Sequence, residues 1–380
     1  MDFSIPQTFT EEMDRFNLFL KKRMVPNLSN WYQNREIPRS FFHEMGQGGW
    51  FGIYLKDNEL TQYSALRSEL IVEKLASISP GVAVATLAHV DLGLTALYLF
   101  GSKQLKNDYG KSAVRGKTLM CLGNSESSAG SDVANIAMTA EKVDGGWLLN
   151  GTKAFVTNGL ISDLAVITAV SDARAPRSKR MSMFLVNLAL EGIHRKKLNK
   201  QVWLPSDLTR IQFKKVFVPD DHLLGERGKG LQQVLKIFSY SRVPISALTL
   251  GTAVGAFELA VTHGKKRKIF GKELVDFQAK AFEIADLYAK IEAARLMIYR
   301  ACKALGSGND FRLEASLAKY LSVMTAREVT TWAADLFGAV SVISEHPIHK
   351  FPMDVWASSL GEGTQDVQKL VIFREIIKNF

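Results

Sequence analysis

The sequence predicts an α+β protein in which helical regions flank a central β-rich region. Its 380 residues exceed a single core of roughly 100–200 residues, so we expect several packed domains. Apolar residues follow a helical spacing up to about residue 117, shift towards alternation up to residue 219, and return to helical spacing from residue 231. We therefore predict a helical domain over residues 1–118, a β-domain over 119–230 and a second helical domain over 231–380.

In the first helical region, apolar residues recur three and four positions apart in FTEEMDRFNLFLKKRM and LRSELIVEKLASI. The middle region is predicted to form strands because short β-type segments alternate with Gly, Asn, Asp and Ser. These segments are WLLNG, KAFVTN, LAVITAV, MSMFLVNL and TRIQFKKVFVP. The Pro, Asp and Gly residues of VPDDHLLGERGKG, residues 218–230, predict a loop that connects the β-domain to the next region.

The third region consists of long helical patterns with short links, which predicts a helical bundle. The patterns are LQQVLKIFSYSR, residues 243–262, DFQAKAFEIADLYAKIEAARLMIYRACKAL, RLEASLAKYLSVMTAREVTTWAADLF and TQDVQKLVIFREII. Thr364 is a suitable N-cap for the last of these helices, since its hydroxyl can accept a hydrogen bond from the first turn.

Composition and charge narrow the function classes. Cys121 and Cys302 are the only cysteines, too few for a disulfide framework or a cysteine-built zinc site, and we predict no metal. We find no apolar run of about 18–20 residues and no secretory leader, so we expect a cytoplasmic protein without a membrane span. The net charge of +10 favours an anionic partner, but the dense run Lys265–Lys268 is equally well explained as a solvated helix face.

Three stretches could bind a ligand, and each also has a structural explanation. The hydroxyl-rich SESSAGSDVANI, residues 125–136, is typical of a donor-rich binding loop or of a surface turn. In NGTKAFVTNG, Phe155 and Thr157 share one face of a strand, where they could flank a flat polar ring or simply pack in the core. In KKRKIFGKELVDFQ, with a break predicted at Gly271, Arg267 could form a forked contact with phosphate or remain solvated.

The acid Glu362 stands between two glycines in LGEGTQDVQ, just before the last predicted helix. One explanation is a carboxylate that interacts with the helix dipole, which contributes about 0.3–1 kcal/mol. The other is a general base, because the glycines leave its surroundings open to a ligand and a dry site raises the pKa of a carboxyl. Residue chemistry alone leaves both open.

The order of SESSAGSD, NGTKAFVTNG, RKIFGK with Gln278, and LGEGTQDVQKLVIFREII resembles the acyl-CoA dehydrogenase family over nearly the whole chain. The resemblance implies an N-terminal helical domain, a central β-barrel-like domain and a C-terminal four-helix bundle. It also implies an FAD enzyme, usually a homotetramer, that oxidises acyl thioesters to α,β-enoyl thioesters in fatty acid or secondary metabolism. The implied electron acceptor is an electron-transferring flavoprotein.

By the same resemblance, Glu362 matches the base that removes the α-proton, while the β-hydrogen leaves as hydride to flavin N5. The implied oxyanion donors are a flavin ribityl hydroxyl and the backbone N–H of the base. The implied cofactor-binding residues are Leu122, Asn124, Ser125, Ser131, Phe155, Val156, Thr157, Arg267, Ile269, Phe270, Gln278, Asp335, Leu336, Gly338, Ala339, Thr364 and Asp366. Those from Arg267 onward are implied to reach the FAD of a neighbouring subunit. The implied substrate-binding residues are Ser131, Ser239, Arg242, Gly361 and Gly363.

Several positions depart from the family pattern. Ser125-Glu126-Ser127 replaces a usual Thr-Glu-Pro, and Met353 replaces a common Arg. Gly361 replaces the Tyr that commonly precedes the base, so we expect a larger acyl pocket and a branched, cyclic or polar acyl group. Further departures are Ser239, the loop of residues 335–341, and LKDNELTQ in the first domain.

Two alternatives remain open at this point. The thioester could be carried by an acyl carrier protein instead of CoA, because both carriers are anionic and the net charge of +10 suits either. A non-dehydrogenase homologue, such as a DNA-binding flavoprotein or a flavin monooxygenase, could share the fold. The monooxygenases lack the catalytic Glu, whereas Glu362 is present, and we do not expect nucleic acid as a partner.

Overall fold

The N-terminal domain is built mainly of helices. The computed structural model describes residues 6–308 and 310–379. Its first elements are α1 (Gln7–Arg23), α2 (Leu28–Asn34), α3 (Arg39–Gln47), the hairpin β1 (Ile53–Lys56) and β2 (Glu59–Gln62), α4 (Ala65–Ile78), α5 (Pro80–Leu87), α6 (Thr95–Phe100) and α7 (Lys103–Val114). A π-helical turn, Ala88–Leu94, joins α5 to α6. The hairpin within this domain was not predicted.

The central domain is a mixed sheet. Its strands are β3 (Met120–Gly123), β4 (Thr139–Val143), β5 (Gly146–Thr157), β6 (Leu164–Val170), β7 (Met181–Asn187), β8 (Ile193–Lys197), β9 (Leu208–Pro219) and β10 (Leu223–Leu224). The strand order is β10-β7-β6-β4-β5-β9-β8, and β3 pairs in parallel with β6. Closure of the sheet into a barrel stays a prediction.

The C-terminal domain consists of long helices that pack on one another. Its elements are α8 (Gly230–Gly264), the hairpin β11 (Lys268–Ile269) and β12 (Lys272–Glu273), α9 (Gln278–Gly306), α10 (Arg312–Phe337), α11 (Lys350–Ser358) and α12 (Gln365–Ile376). Helix α10 packs against α8, α9, α11 and α12, while α8 also packs against α4 of the first domain. A single hydrophobic core therefore joins the two helical domains.

The predicted α–β–α fold class is confirmed, and the differences are local. WLLNG and KAFVTN form one strand, β5, because bulges after Leu149 and Lys153 let it bend without breaking. The two segments predicted before and after Val243 form one helix, α8, although Pro244 lies inside it. The break predicted at Gly271 is the tip of the β11–β12 hairpin, where Gly271 has a φ of +80°.

Two helical stretches are long and apolar enough to cross a membrane, contrary to the expectation from sequence. They are Pro80–Phe100 and Gly230–Gly264, with mean hydropathies of 1.6 and 1.5. In this fold 78% and 67% of the respective apolar windows are buried against other elements. Their apolar character is therefore explained by their position at the centre of the protein.

A buried ion pair anchors the loop that follows β3. Lys153 on β5 is fully buried, and its Nζ donates to Glu126 Oε1 at 2.8 Å and to the Asn124 carbonyl at 3.0 Å. Glu126 also accepts hydrogen bonds from the N–H groups of Ala137 and Met138. The predicted ligand loop of residues 125–136 is thus tied to the sheet at both ends.

We predict that Glu126→Gln lowers the free energy of unfolding by about 3–5 kcal/mol, because it leaves the Lys153 ammonium buried without a counter-charge. Urea unfolding followed by circular dichroism measures the change. The exposed pair of Lys142 and Asp220, 2.9 Å apart, provides the control, and Asp220→Asn should cost at most about 1 kcal/mol. Equal effects of the two substitutions would contradict this role for the buried pair.

Candidate active site

A cavity of about 470 Å³ lies where the three domains meet. The N-terminal domain contributes the end of α5 and the π-helical turn, and the sheet contributes residues that follow β3 and end β5. The C-terminal domain contributes Leu360, Gly361 and Glu362. Leu122, Asn124, Ser125, Phe155, Thr157, Gly361 and Glu362, all predicted site residues, line this one cavity.

The end of β5 presents an aromatic ring and a hydroxyl to the cavity. Phe155 has a φ of +58° at the second bulge, and its side chain remains 60% exposed. Thr157 lines the same cavity, while Val156 between them is buried in the sheet core. The bulge thus places Phe155 and Thr157 beside Ser125, an arrangement that fits a flat polar heterocycle.

The turn that carries Glu362 has an unusual backbone. Glu362 has a φ of +50° and Gly363 a φ of +94°, both in the left-handed region. A non-glycine residue there costs about 1–3 kcal/mol and persists only where the surroundings hold it. Thr364 then begins α12, and its hydroxyl accepts a hydrogen bond from the Val367 N–H at 3.4 Å, as predicted for an N-cap.

The carbonyls of Gly361, Glu362 and Gly363 accept hydrogen bonds from side chains on three helices. The Lys319 Nζ, on α10, donates to the carbonyls of Gly361 and Gly363. The Gln368 Nε2, on α12, donates to the carbonyls of Glu362 and Gly363 at 3.1 and 2.9 Å. The Arg242 Nε, on α8, lies 3.4 Å from the Glu362 carbonyl. These contacts hold the backbone at Glu362 in place.

The electrostatic surroundings of Glu362 act in opposite directions. Burial raises its pKa above the ordinary value of 4.5, while the positive charges of Lys319 and Arg242 lower it. Burial also lowers the pKa of Lys319 to about 8, although the charge of Glu362 opposes that shift. A carboxylate in these surroundings remains a stronger base than an exposed one and is still able to ionise.

Sequence reasoning missed several residues of the site. Lys200 and Trp203 line the cavity from the segment between β8 and β9, and Lys200 Nζ donates to the Trp203 carbonyl at 2.7 Å. The Trp203 N–H in turn donates to Asp354 on α11. One feature of the sequence indicated Lys319: this lysine lies close to Ala315, Ala318 and Val323 along α10, and all three are buried.

The remaining predicted residues do not line this cavity. Ser239 and Arg242 lie on α8 under the turn, with Arg242 Nη1 3.4 Å from Ser239 Oγ. Ser131 is exposed on the loop after β3. The others lie in or next to the β11–β12 hairpin, on α9, at the end of α10 or in the 3-10 turn that follows it, and at the start of α12; they are Arg267, Ile269, Phe270, Gln278, Asp335, Leu336, Gly338, Ala339, Thr364 and Asp366.

Comparison with known proteins identifies the family. The chain matches the domain descriptions “Acyl-CoA dehydrogenase, N-terminal domain” over residues 10–117, “middle domain” over 121–216 and “C-terminal domain” over 228–377. The chain belongs to the acyl-CoA dehydrogenase family. It is accordingly an oxidoreductase that acts on CH–CH bonds with FAD as cofactor.

Several known proteins resemble this chain over 91–100% of its length. A short-chain-specific acyl-CoA dehydrogenase of Clostridium acetobutylicum is 29% identical over 100% of both chains. The caffeyl-CoA reductase-Etf complex subunit CarC of Acetobacterium woodii is 31% identical over 91% of this chain and 92% of its own. The butyryl-CoA dehydrogenase structure of Megasphaera elsdenii has a TM-score of 0.94 at 28% identity, covering 99% and 100%. An FAD complex of PigA has a TM-score of 0.93 at 26% identity, covering 99% of each chain.

We predict that Gly363→Ala destabilises the turn, because an added Cβ would lie 2.9 Å from both Gln368 Nε2 and Val367 Cγ1 and would strain a φ of +94°. Gly361→Ala is the matched control, since its added Cβ would meet nothing closer than Trp203, at 3.9 Å. Thermal unfolding should show a lower melting temperature for Gly363→Ala only. A larger loss for Gly361→Ala would contradict the turn geometry.

Proposed function

We propose that this protein oxidises an acyl-CoA thioester to the enoyl-CoA, with Glu362 removing the α-proton and the β-hydride passing to FAD. The observation that carries the proposal is that the half-buried Glu362 carboxylate shares one cavity with Phe155, Thr157 and Ser125. In the same proposal, Ser125, Phe155 and Thr157 would hold FAD, which would supply the hydride acceptor. The thioester would lie beside Glu362.

The residues of this chain account for the proton transfer. The Glu362 carboxylate takes the α-proton, and bound FAD would supply the acceptor for the β-hydride, so that a proton and a hydride leave the acyl group by separate routes and the C=C bond forms. The hydrogen bonds from Lys319 and Gln368 hold the Glu362 backbone in place, which limits the motion of the base. Burial supplies the raised pKa that a general base needs near neutral pH.

The position before the base supports a wide acyl site. Gly361 lines the cavity, and a Cβ built there would meet only the Trp203 ring, at 3.9 Å. The space next to Glu362 is therefore open in this chain. We propose a branched, cyclic or polar acyl group as substrate, in contrast to the plain short chain implied by the name of the Clostridium relative.

CoA is the carrier that we favour. The Clostridium, Acetobacterium and Megasphaera relatives act, by their names, on CoA thioesters, while the acyl carrier protein remains the alternative carrier because the net charge of +10 suits it too. The Etf complex named for the Acetobacterium relative supports an electron-transferring flavoprotein as acceptor. We place the reaction in the cytoplasm, in keeping with the burial of the two apolar helices in the fold.

We also propose a homo-oligomer in which the cofactor lies between subunits. Phe270, at the tip of the β11–β12 hairpin, is 93% exposed. Asp335 and Leu336 line a separate cavity of about 700 Å³ between α9 and α10. Large apolar side chains such as Phe282 and Phe373 are also exposed on this domain. Burial of such side chains against a second subunit would stabilise the assembly.

We predict that Glu362→Gln retains bound FAD but loses reduction by thioesters. Under anaerobic conditions, a panel of acyl-CoA thioesters should bleach the flavin absorbance of the wild-type protein. The variant should be slower by at least about 10³-fold, since the amide cannot accept the proton. Flavin absorbance before substrate addition confirms that the variant binds FAD. Equal bleaching of both proteins would overturn the assignment of the base.

We predict that Lys319→Gln moves the acidic limb of the rate–pH profile to higher pH. The Lys319 charge lowers the pKa of Glu362, so its removal raises that pKa, and the ionised base then forms only at higher pH. The side-chain amide of the variant can still donate a hydrogen bond to the turn. Measurement of kcat/KM against pH, with the exposed Lys369→Gln as control, tests the shift; an unchanged limb would contradict it.

A further inference from the structure

A second cavity, of about 530 Å³, lies on the other side of the π-helical turn. Asp91 and Thr95 face it, whereas Ala88 and Leu92 of the same segment line the cavity of Glu362. Helix α8 contributes to both cavities in the same way, with Phe238 on one side and Tyr240 on the other. The two cavities therefore adjoin along the π-helical turn and α8, where Asp91 of the second cavity lies close to Glu362 of the first.

Two acids that line this second cavity have no cationic partner among residues 6–308 and 310–379. The Glu69 side chain, on α4, is only 4% exposed, and its Oε2 atom is buried without a hydrogen-bond partner in the described part of the chain. Burial raises the pKa of Asp91 to about 7, and the negative charge of nearby Glu362 adds to this shift. Burial also raises the pKa of Glu69, and the charge of Asp91 makes a smaller contribution in the same direction.

The nearby cations do not neutralise these acids. Arg67, also on α4, forms an ion pair with Glu12 and stacks over the Tyr63 ring at 3.7 Å. Lys303 lines the cavity, but its side chain is exposed. Because a buried carboxyl without a partner is costly, the pair of Glu69 and Asp91 would gain most from a ligand that brings a positive charge or several N–H donors.

The rest of the lining suits such a ligand. Three tyrosines, Tyr63, Tyr240 and Tyr299, contribute aromatic surface and hydroxyl groups. Aromatic rings together with carboxylates form a favourable site for an ammonium group, because the ring faces attract cations and the carboxylates accept its hydrogen bonds. An alkyl chain would offer Glu69 and Asp91 neither a positive charge nor a hydrogen-bond donor.

We propose that this cavity binds a protonated amine at the distal end of the acyl group, so that the preferred substrate is an amino-acyl thioester. The inference rests on the proposed function, since it assumes that the thioester lies beside Glu362. It narrows the polar acyl group, expected from Gly361, to a basic one. Glu69 and Asp91 act here as specificity-determining residues and take no part in the proton transfer.

The test compares CoA thioesters in pairs of equal chain length. One member of each pair ends in a primary amine (4-aminobutyryl, 5-aminopentanoyl or 6-aminohexanoyl), and the other ends in a methyl group. A third series ends in a hydroxyl. Anaerobic flavin reduction by the FAD-loaded protein should show a kcat/KM roughly tenfold or more higher for the amine at one chain length, as expected for charged hydrogen bonds.

Variants of the acids assign the preference to this cavity. Glu69→Gln should reduce the amine preference about tenfold while leaving the rates with alkyl thioesters within about twofold. Because Asp91 lies close to Glu362, the effect of Asp91→Asn is read only as the ratio of amine to alkyl rates within that variant, which should also fall about tenfold. Glu59→Gln, an exposed acid of β2 in the same domain, is the matched control and should change neither. An equal loss with both substrate series would indicate a structural role for the acids and overturn the proposal.

The outcomes separate this inference from the proposed function. Reduction by alkyl or hydroxyl thioesters with no preference for an amine at any length would overturn the inference and leave the dehydrogenase in place. If no thioester reduces the flavin, the proposed function fails. Calorimetric titration of Glu362→Gln with the paired thioesters then decides the inference, because tighter binding of the amine supports it and equal binding refutes it.

Discussion

The arrangement of the active site depends on one buried ammonium group. Lys319 donates to the carbonyls on both sides of Glu362 and so holds a turn whose left-handed backbone would otherwise be unfavourable. Because Lys319 belongs to α10, Arg242 to α8 and Gln368 to α12, the turn forms only where these three helices meet. The packing of the bundle thus determines where the Glu362 carboxylate lies.

The same group also sets the charge balance of the site. Burial makes the carboxylate of Glu362 costly and raises its pKa, whereas Lys319 and Arg242 stabilise the ionised form. Asp91 adds a further negative group close to Glu362, which raises the pKa of Asp91 in turn. A carboxylate that is shielded from water but has cations nearby can ionise and can still accept a proton from the substrate. The second cavity, which Asp91 and Glu69 line, continues this acidic region away from Glu362.

The sequence predicted the parts of the site whose signals are local. The N-cap at Thr364, the position of Glu362 before α12, and the shared face of Phe155 and Thr157 follow from spacing and from capping chemistry. Lys319 could not be identified in the same way, because a lysine in a helical pattern is usually solvated and only the tertiary packing buries it.

The long strand β5 and the second cavity were also beyond sequence reasoning. Bulges in β5 depend on its pairing with β9, which a local alternation pattern does not reveal. Glu69 lies on a helix whose pattern is compatible with a solvated acid, and only the approach of the C-terminal domain encloses it. The most direct test of Glu362 as base is exchange of the α-hydrogens of a 3-thia-acyl-CoA, which has no β-hydrogen to lose, in deuterated water. Nuclear magnetic resonance should show exchange with the wild-type protein and none with Glu362→Gln; equal exchange with both proteins would contradict the account.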